Sequence, residues 1–411
     1  MITMLLGDLE MIKLVKLDNL KCSEVSFEVF LSMSAELLRN GYVPNAIMVD
    51  ESGEIINNSE LCDVLRRLGC VKAPVISRGE ITRLPNITLE ELGFYEDINP
   101  EPMRVFKNTV ELLYRNWPTP LTKLNHLSTK LLSVWGKLEW YNPYSCSIKD
   151  RIAWYMFKEA VDRLGGINGL KAIYEATSTN TGLALAALSN ITGVKARLYL
   201  PSTAQQCVDY IFRLMGAEVV RGRASITVEM IDDVRKDALR NGALNLNQFE
   251  NDKNFEVHLR YTAKELDLQV RSAGLRLTAI VGGLGTSGHL SALSHYFKNR
   301  YGDHVKIIGV QPARGEVIPG IRRVESGMKW VHLVKIDKIY EVTLKEALEE
   351  VIKTARKDGI LVGLSSGAVL KAVSNAIEEG VISEGDVVAV LPDHGLKYIE
   401  IIEKCVEYQD F

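Results

Sequence analysis

No apolar run in this sequence reaches the roughly 18 residues that cross a bilayer, so a membrane-spanning protein is not expected. An excess of either charge is also missing. The net charge is −3, which offers no basic field for nucleic acid and no polybasic patch for a membrane surface. Cysteine is sparse, and Cys22, Cys62, Cys70, Cys146, Cys207 and Cys405 contain no C-x-x-C pair. That pattern argues against a zinc site or a disulfide framework and suits a reducing, cytoplasmic compartment. The seven histidines show no ligand spacing, so no metal is expected. The opening Met1–Asp8 lacks the basic and long apolar segments of a secretory signal. What is left is the composition of an ordinary globular protein, 46% hydrophobic and 25% charged. Its 411 residues leave room for two or three structural units.

Periodicity predicts an α/β fold. Short apolar strands alternate with helices from about residue 115 onward, as in a parallel sheet with crossover helices. The strands include 172–176, 196–201, 218–220, 279–283, 305–310 and 387–392. A strand-like run ends at Asn142-Pro143, and Lys149 then opens a helix stopped by Gly165-Gly166. Before the proline-containing stretches 99–102 and 117–120, residues 1–110 read as a separate accessory unit. There Phe27–Asn40 and Ser59–Leu68 are expected helices, with strands at 46–50 and 75–76. This layout faintly resembles the small domain of the chromosome-partitioning and archaeal free-serine-kinase group. That group's histidine-bearing catalytic stretch would fall at Asn57–Glu60, where no histidine stands. A packing or dimer-forming role is expected instead.

Ligands of open α/β sheets bind beyond the carboxyl ends of strands, where loops feed helix N-termini. At such a position the Lys149 ammonium is electrostatically misplaced, because the helix dipole already supplies positive charge. A lysine held there has reason to lose its proton and act as an amine nucleophile. Alone, it reads first as an ordinary solvated surface lysine. Thr177-Ser178-Thr179-Asn180-Thr181-Gly182 carries more hydroxyl and amide groups than one helix cap needs, and suits a carboxylate. Gly282 to His289 is a glycine-rich loop fit to cradle a phosphate, without the ending of a nucleotide-binding P-loop. Val362–Ala368 offers a neutral hydroxyl, or simply a capped helix.

A lysine, a phosphate cradle, a carboxylate loop and a neutral polar group are what pyridoxal 5′-phosphate and an amino acid require. Ser147–Arg151, Thr177–Gly182, Gly285–His289, Gly363–Gly367 and Leu391–Gly395 stand in an order that resembles the cysteine synthase/cystathionine β-synthase family. The likeness covers about residue 115 to the C-terminus. It implies the type II fold of pyridoxal-phosphate enzymes, with two doubly wound subdomains (the one around 155–255 moving), a catalytic unit of 111–411, and a homodimer. By the same resemblance, Lys149 is the Schiff-base lysine, Asn180 meets the cofactor's 3′-oxygen, and Gly285, Thr286, Ser287, Gly288 and His289 hold its phosphate. Ser365 faces the pyridine nitrogen, and Thr177, Ser178, Thr181 and Gln248 hold the substrate carboxylate. Thr179 stands where the family usually has glycine, and His289 where threonine is commoner.

A serine at the ring nitrogen favours β-elimination and β-replacement over transamination. In family members that use acetylserine, a small apolar stretch lines the pocket where this chain has Arg322-Arg323. A guanidinium fork suits a phosphate leaving group. Arg322 is therefore the expected phosphate contact, unless both arginines are salt-bridge partners of Glu316 or Glu325. In this respect the chain is similar to the O-phosphoserine-using sulfhydrylases of archaea. The expected activity is L-cysteine formation from O-phosphoserine, or also O-acetylserine, and sulfide. Cystathionine β-synthase or serine/threonine dehydratase activity is the alternative, and a non-enzymatic pyridoxal-phosphate-binding regulator is a third reading.

Overall fold

Six strands form the largest sheet of the computed structural model, which describes residues 12–77 and 86–405. The Met1–Asp8 stretch considered above lies outside them. In spatial order the strands are Lys338–Val342, Lys306–Pro312, Leu277–Gly283, Gly385–Leu391, Leu132–Leu138 and Leu121–Leu124. All neighbours run parallel except the last pair. Both faces of a parallel sheet are covered, so its strands are continuously apolar. Val387, Ala389 and Leu391 enter one core with Ile308, Val310 and the helix Leu364–Glu378. Val388 and Val390 enter the other with Ile280, Ile307 and the helix Gly288–Tyr301.

A second parallel sheet, Glu218–Arg221, Lys195–Leu200 and Ala172–Ala176, builds the smaller subdomain. The fold is thus α/β with two parallel sheets, as the strand–helix alternation implies. The cleft between the sheets is where their strand-to-helix loops meet.

The N-terminal residues form a four-stranded sheet in the order Ile12–Lys16, Lys72–Ser77, Ile47–Val49, Ile55–Asn57. Its helix Phe27–Asn40 is capped by the Ser26 side chain, which accepts from Val29 N, and ends at Gly41 with φ +73°. The helix Ser59–Leu68 ends at Gly69, φ +82°, a left-handed position that glycine adopts without penalty. Phe30, Leu37, Leu65 and Leu68 share one core with Phe255, Leu293 and Tyr296. Arg67 joins Glu256 at 2.7 Å while stacking over Phe30. These N-terminal elements therefore pack directly on the helix Gly288–Tyr301.

Two expectations are corrected. Cys22 and Cys62 form a disulfide with Cα atoms 5.3 Å apart. Their separation of 40 residues carries no local signature, and only the packing of the chain beyond the 3₁₀ turn Leu17–Asn19 against the helix Ser59–Leu68 brings them together. The strand before Lys149 ends at Leu138 rather than Asn142, because Glu139–Tyr141 closes a 3₁₀ turn. The turn points the Glu139 carboxylate inward to Arg151, with Nε to Oε2 at 2.7 Å.

Candidate active site

Lys149 is the first residue of the helix Lys149–Arg163. The segment before it is pinned: Ile148 N donates to Pro392 O at 2.9 Å, and Lys149 N to Ser147 Oγ at 3.1 Å. Asp150 accepts from Tyr144 N at 2.6 Å and Ser145 N at 2.9 Å, fixing the loop that precedes the helix. Arg151 is locked into a buried cluster with Glu139 and Glu265. Burial first, then the Arg322 guanidinium, lowers the Lys149 amine to about 8, with Asp393 opposing. Desolvation, rather than the position at a helix start, is the largest cause.

Lys149 opens onto a cleft of about 220 Å³. Thr177, Ser178, Asn180, Thr181, Gln248, Gly285, Thr286 and Arg322 line it as well. Ser287, Gly288, His289 and Ser365 do not. The first three lie buried at the start of the helix Gly288–Tyr301. Ser365 is buried in the first turn of its own helix, close to the Gly320 that lines the cleft.

The loop after the strand Ala172–Ala176 divides its labour. Thr177 Oγ1 accepts from Gly182 N at 3.0 Å and does the capping, so the remaining hydroxyls are surplus to it. Thr181 Oγ1 donates to Gln248 Oε1 at 2.7 Å, joining the loop to the segment after residue 244. Thr179 takes the N-cap position of the helix Asn180–Thr192, with φ −170° and ψ −68°.

The residues at the glycine-rich loop fit a phosphate. Thr286 Oγ1, Ser287 Oγ, His289 Nε2 and Ser291 Oγ are buried without a partner among the described residues. Such clustered orphan groups are rare in a folded protein and mark a place for a ligand. They gather at the N-terminus of a 14-residue helix, where the dipole favours an anion. Burial, with Lys149 adding, lowers His289 to about 3, so it meets an anion as a neutral donor. Glycine is required for the approach: a Cβ on Gly285 would lie 2.4 Å from Gly320 O.

Arg322 and Arg323 part company. Arg323 pairs with Glu325 at 2.9 Å and Glu341 at 2.7 Å, a surface role. Among the described residues Arg322 has no carboxylate partner. Its Nε donates to Gly285 O at 2.7 Å and its Nη1 to Ser326 Oγ at 2.8 Å, while Nη2 is buried without a partner. Burial lowers it to about 10.

Several residues of the site carried no role in the sequence reading. Asp393 and Arg151 stood in the quoted motifs without a function attached to them. Lys397 and Tyr398, just beyond the last motif, bind Asn180 and Asp393. His258 sits on the π-helical turn His258–Ala263, its ring edge-on to His289 at 5.9 Å. A change from α to π geometry leaves little trace in apolar periodicity, so nothing in the sequence flagged it.

Comparison with known proteins agrees with this geometry. Residues 112–393 match the model of the pyridoxal-phosphate dependent enzyme family, and the chain belongs to that family. Its cofactor is pyridoxal phosphate, for which the residues around Lys149 and the phosphate cradle are suited. Cysteine synthase of Staphylococcus aureus (strain N315) is 33% identical over 293 residues, spanning 68% of this chain and 92% of the relative. Cysteine synthase B of Escherichia coli K12 is 32% identical over 286 residues, spanning 68% and 91%. Among solved structures, a hydrogen sulfide-producing enzyme of Fusobacterium nucleatum is similar with a TM-score of 0.63 and 28% identity. That match covers 72% of this chain and all of the other. No helix among the described residues is long and apolar enough to cross a membrane.

Proposed function

We propose that this protein is a cysteine synthase that replaces the phosphate of O-phospho-L-serine with sulfide, working as a homodimer. The similarity to cysteine synthases supports the reaction type. One observation carries the choice of phosphate: a half-buried guanidinium in the cleft, without a carboxylate partner and with Nη2 unengaged. An uncompensated buried cation is costly, and an anionic substrate group offsets that cost. An acetyl group offers no such compensation.

In this reading Lys149 carries the cofactor, and Gly285, Thr286, Ser287, Gly288 and His289 take its phosphate. Asn180 meets its 3′-oxygen and Ser365 its ring nitrogen. Bound there, the cofactor supplies an electron sink for the substrate α-carbon. Thr177, Ser178, Thr181 and Gln248 hold the substrate carboxylate. The Lys149 amine would be the base that removes the α-proton. The β-carbon–oxygen bond breaks with its electron pair going to phosphate, which Arg322 receives. Sulfide then bonds to the β-carbon and Lys149 returns the proton to the α-carbon. Phosphoserine and sulfide thus become cysteine and phosphate.

Arg322→Ala is the test. Phosphoserine turnover should fall about 10- to 150-fold, the scale of losing a charge-assisted contact, while acetylserine turnover persists. Equal losses on both substrates with weakened cofactor binding would instead assign Arg322 to the cofactor phosphate, next to Gly285 O. Unchanged phosphoserine kinetics would sink the reading. Homocysteine consumption, or pyruvate release without sulfide, would move the protein to cystathionine synthesis or dehydration.

A further inference from the structure

The Asn180 amide is gripped at both ends by groups with no part in the chemistry above. Its Oδ1 accepts from Lys397 Nζ at 2.7 Å, and its Nδ2 donates to Asp393 Oδ2 at 2.8 Å. An ammonium can only donate and a carboxylate oxygen accepts, so these partners dictate which end of the amide is oxygen. One N–H of Nδ2 is spent on Asp393. The other makes no further bond of hydrogen-bonding geometry among the described residues, though the Tyr398 hydroxyl lies near it, and Asn180 lines the cleft beside Lys149.

Lys397 spends its own donors on structure. Besides Asn180 it binds Ser145 O at 2.9 Å and Cys146 O at 3.1 Å, in the segment leading to Lys149, and lies 3.4 Å from Asp393 Oδ2. Asp393 is buried and also accepts the Tyr398 hydroxyl. One ammonium therefore ties together the approach to Lys149, the first residue of the helix Asn180–Thr192, and the carboxylate beyond the strand Gly385–Leu391. Lys397 does not itself line the cleft.

We infer that Lys397 is a positioning residue: it fixes the Asn180 amide so that the remaining N–H is presented to an oxygen acceptor of the cofactor held beside Lys149. This rests on the assignment of Asn180 to the cofactor. Losing the orientation misplaces one hydrogen bond to an ionisable oxygen, which changes the balance of protonated and deprotonated cofactor at fixed pH.

The experiment compares cofactor-saturated protein with K397M, K397R, N180A and the double variant, by absorbance of the bound cofactor. In K397M the ratio of visible to near-ultraviolet bands should move about 2- to 10-fold, the equivalent of one hydrogen bond. K397R, which keeps charge and donors, should restore most of it. In the N180A background, K397M should add nothing. An unaltered ratio in folded, saturated K397M overturns the proposal, as does an equal shift in the N180A background, which would make Lys397 a through-space charge. An N180A ratio equal to wild type overturns the Asn180 assignment itself, and the proposal with it. Where K397M fails to fold, K397A, which also removes the donor, takes its place under the same outcomes.

Discussion

Replacing Arg151 by methionine should cost about 3–5 kcal/mol of stability, the range found when one partner of a buried ion pair is removed. The structure gives the reason. Arg151 reaches Glu139 with Nε at 2.7 Å and Nη2 at 2.9 Å, and Glu265 with Nη2 at 2.6 Å and Nη1 at 3.0 Å. Lys137 Nζ lies 2.6 Å from Glu265, and all four side chains are 0% exposed. Two cations balance two carboxylates, and the guanidinium also stacks on Trp117 at 4.4 Å. Without Arg151 one buried carboxylate is uncompensated. Burial alone pushes Glu139 upward, but Arg151 and then Lys137 overcome this and hold it below its ordinary value. In wild type that stability is present above the ordinary glutamate range and lost as pH falls through the depressed value. In R151M the sign reverses, because a carboxylate with a raised value is neutral at low pH and costs more as pH rises. The deficit should therefore be larger in weakly alkaline than in weakly acidic buffer. Denaturant unfolding at matched slope measures it. The double variant R151M/E139M, which leaves the Lys137–Glu265 pair intact, should lose less than R151M. A deficit below about 1 kcal/mol, or a double variant weaker than the single, would refute the reasoning.

Gly285→Ala forces a Cβ to within 2.4 Å of Gly320 O. Cofactor binding should weaken at least about tenfold, with about 1–3 kcal/mol of strain; calorimetric titration with pyridoxal phosphate checks it, and unchanged affinity contradicts the cradle. Cofactor attachment to the apoprotein should quicken as pH rises toward about 8, where the Lys149 amine loses its proton, and level off above that. Because Arg322 is the second cause of that lowering, R322A should move the levelling point upward. Opening the 40-residue loop closed by Cys22–Cys62 should cost about 4 kcal/mol in the chain-entropy model. A C22A/C62A protein with an unchanged unfolding midpoint would contradict that stabilisation.

The parallel sheets were legible because buried strands such as Val387–Leu391 and Ala279–Gly283 are uninterrupted apolar runs between turn residues. Helix ends were legible where glycine stops them, as at Gly41 and Gly69. The Lys149 helix start and the loop compositions also showed directly, since cofactor chemistry demands unusual clusters of small and hydroxyl-bearing residues. What stayed hidden depends on distant contacts. No local pattern separates Arg322 from Arg323; only the acidic partners Glu325 and Glu341 on one side, and their absence on the other, do so. The Cys22–Cys62 bond, the Arg151–Glu265 pair and the Lys397–Asn180 clamp join positions 40 to 217 residues apart. Periodicity reads neighbours in the chain, and these contacts are set by tertiary packing.

The central claim is that a lysine-held cofactor beside Lys149 processes phosphoserine and sulfide. The most direct measurement is the visible absorbance of purified, cofactor-loaded protein as O-phosphoserine and then sulfide are added, with phosphate and cysteine assayed alongside. The account predicts a spectral change on phosphoserine addition, release of one equivalent of phosphate, and return of the original spectrum with cysteine once sulfide enters. A change with acetylserine or serine but none with phosphoserine would contradict the assignment of Arg322 and of the substrate. Absence of any response in protein that carries bound cofactor would contradict the reaction itself.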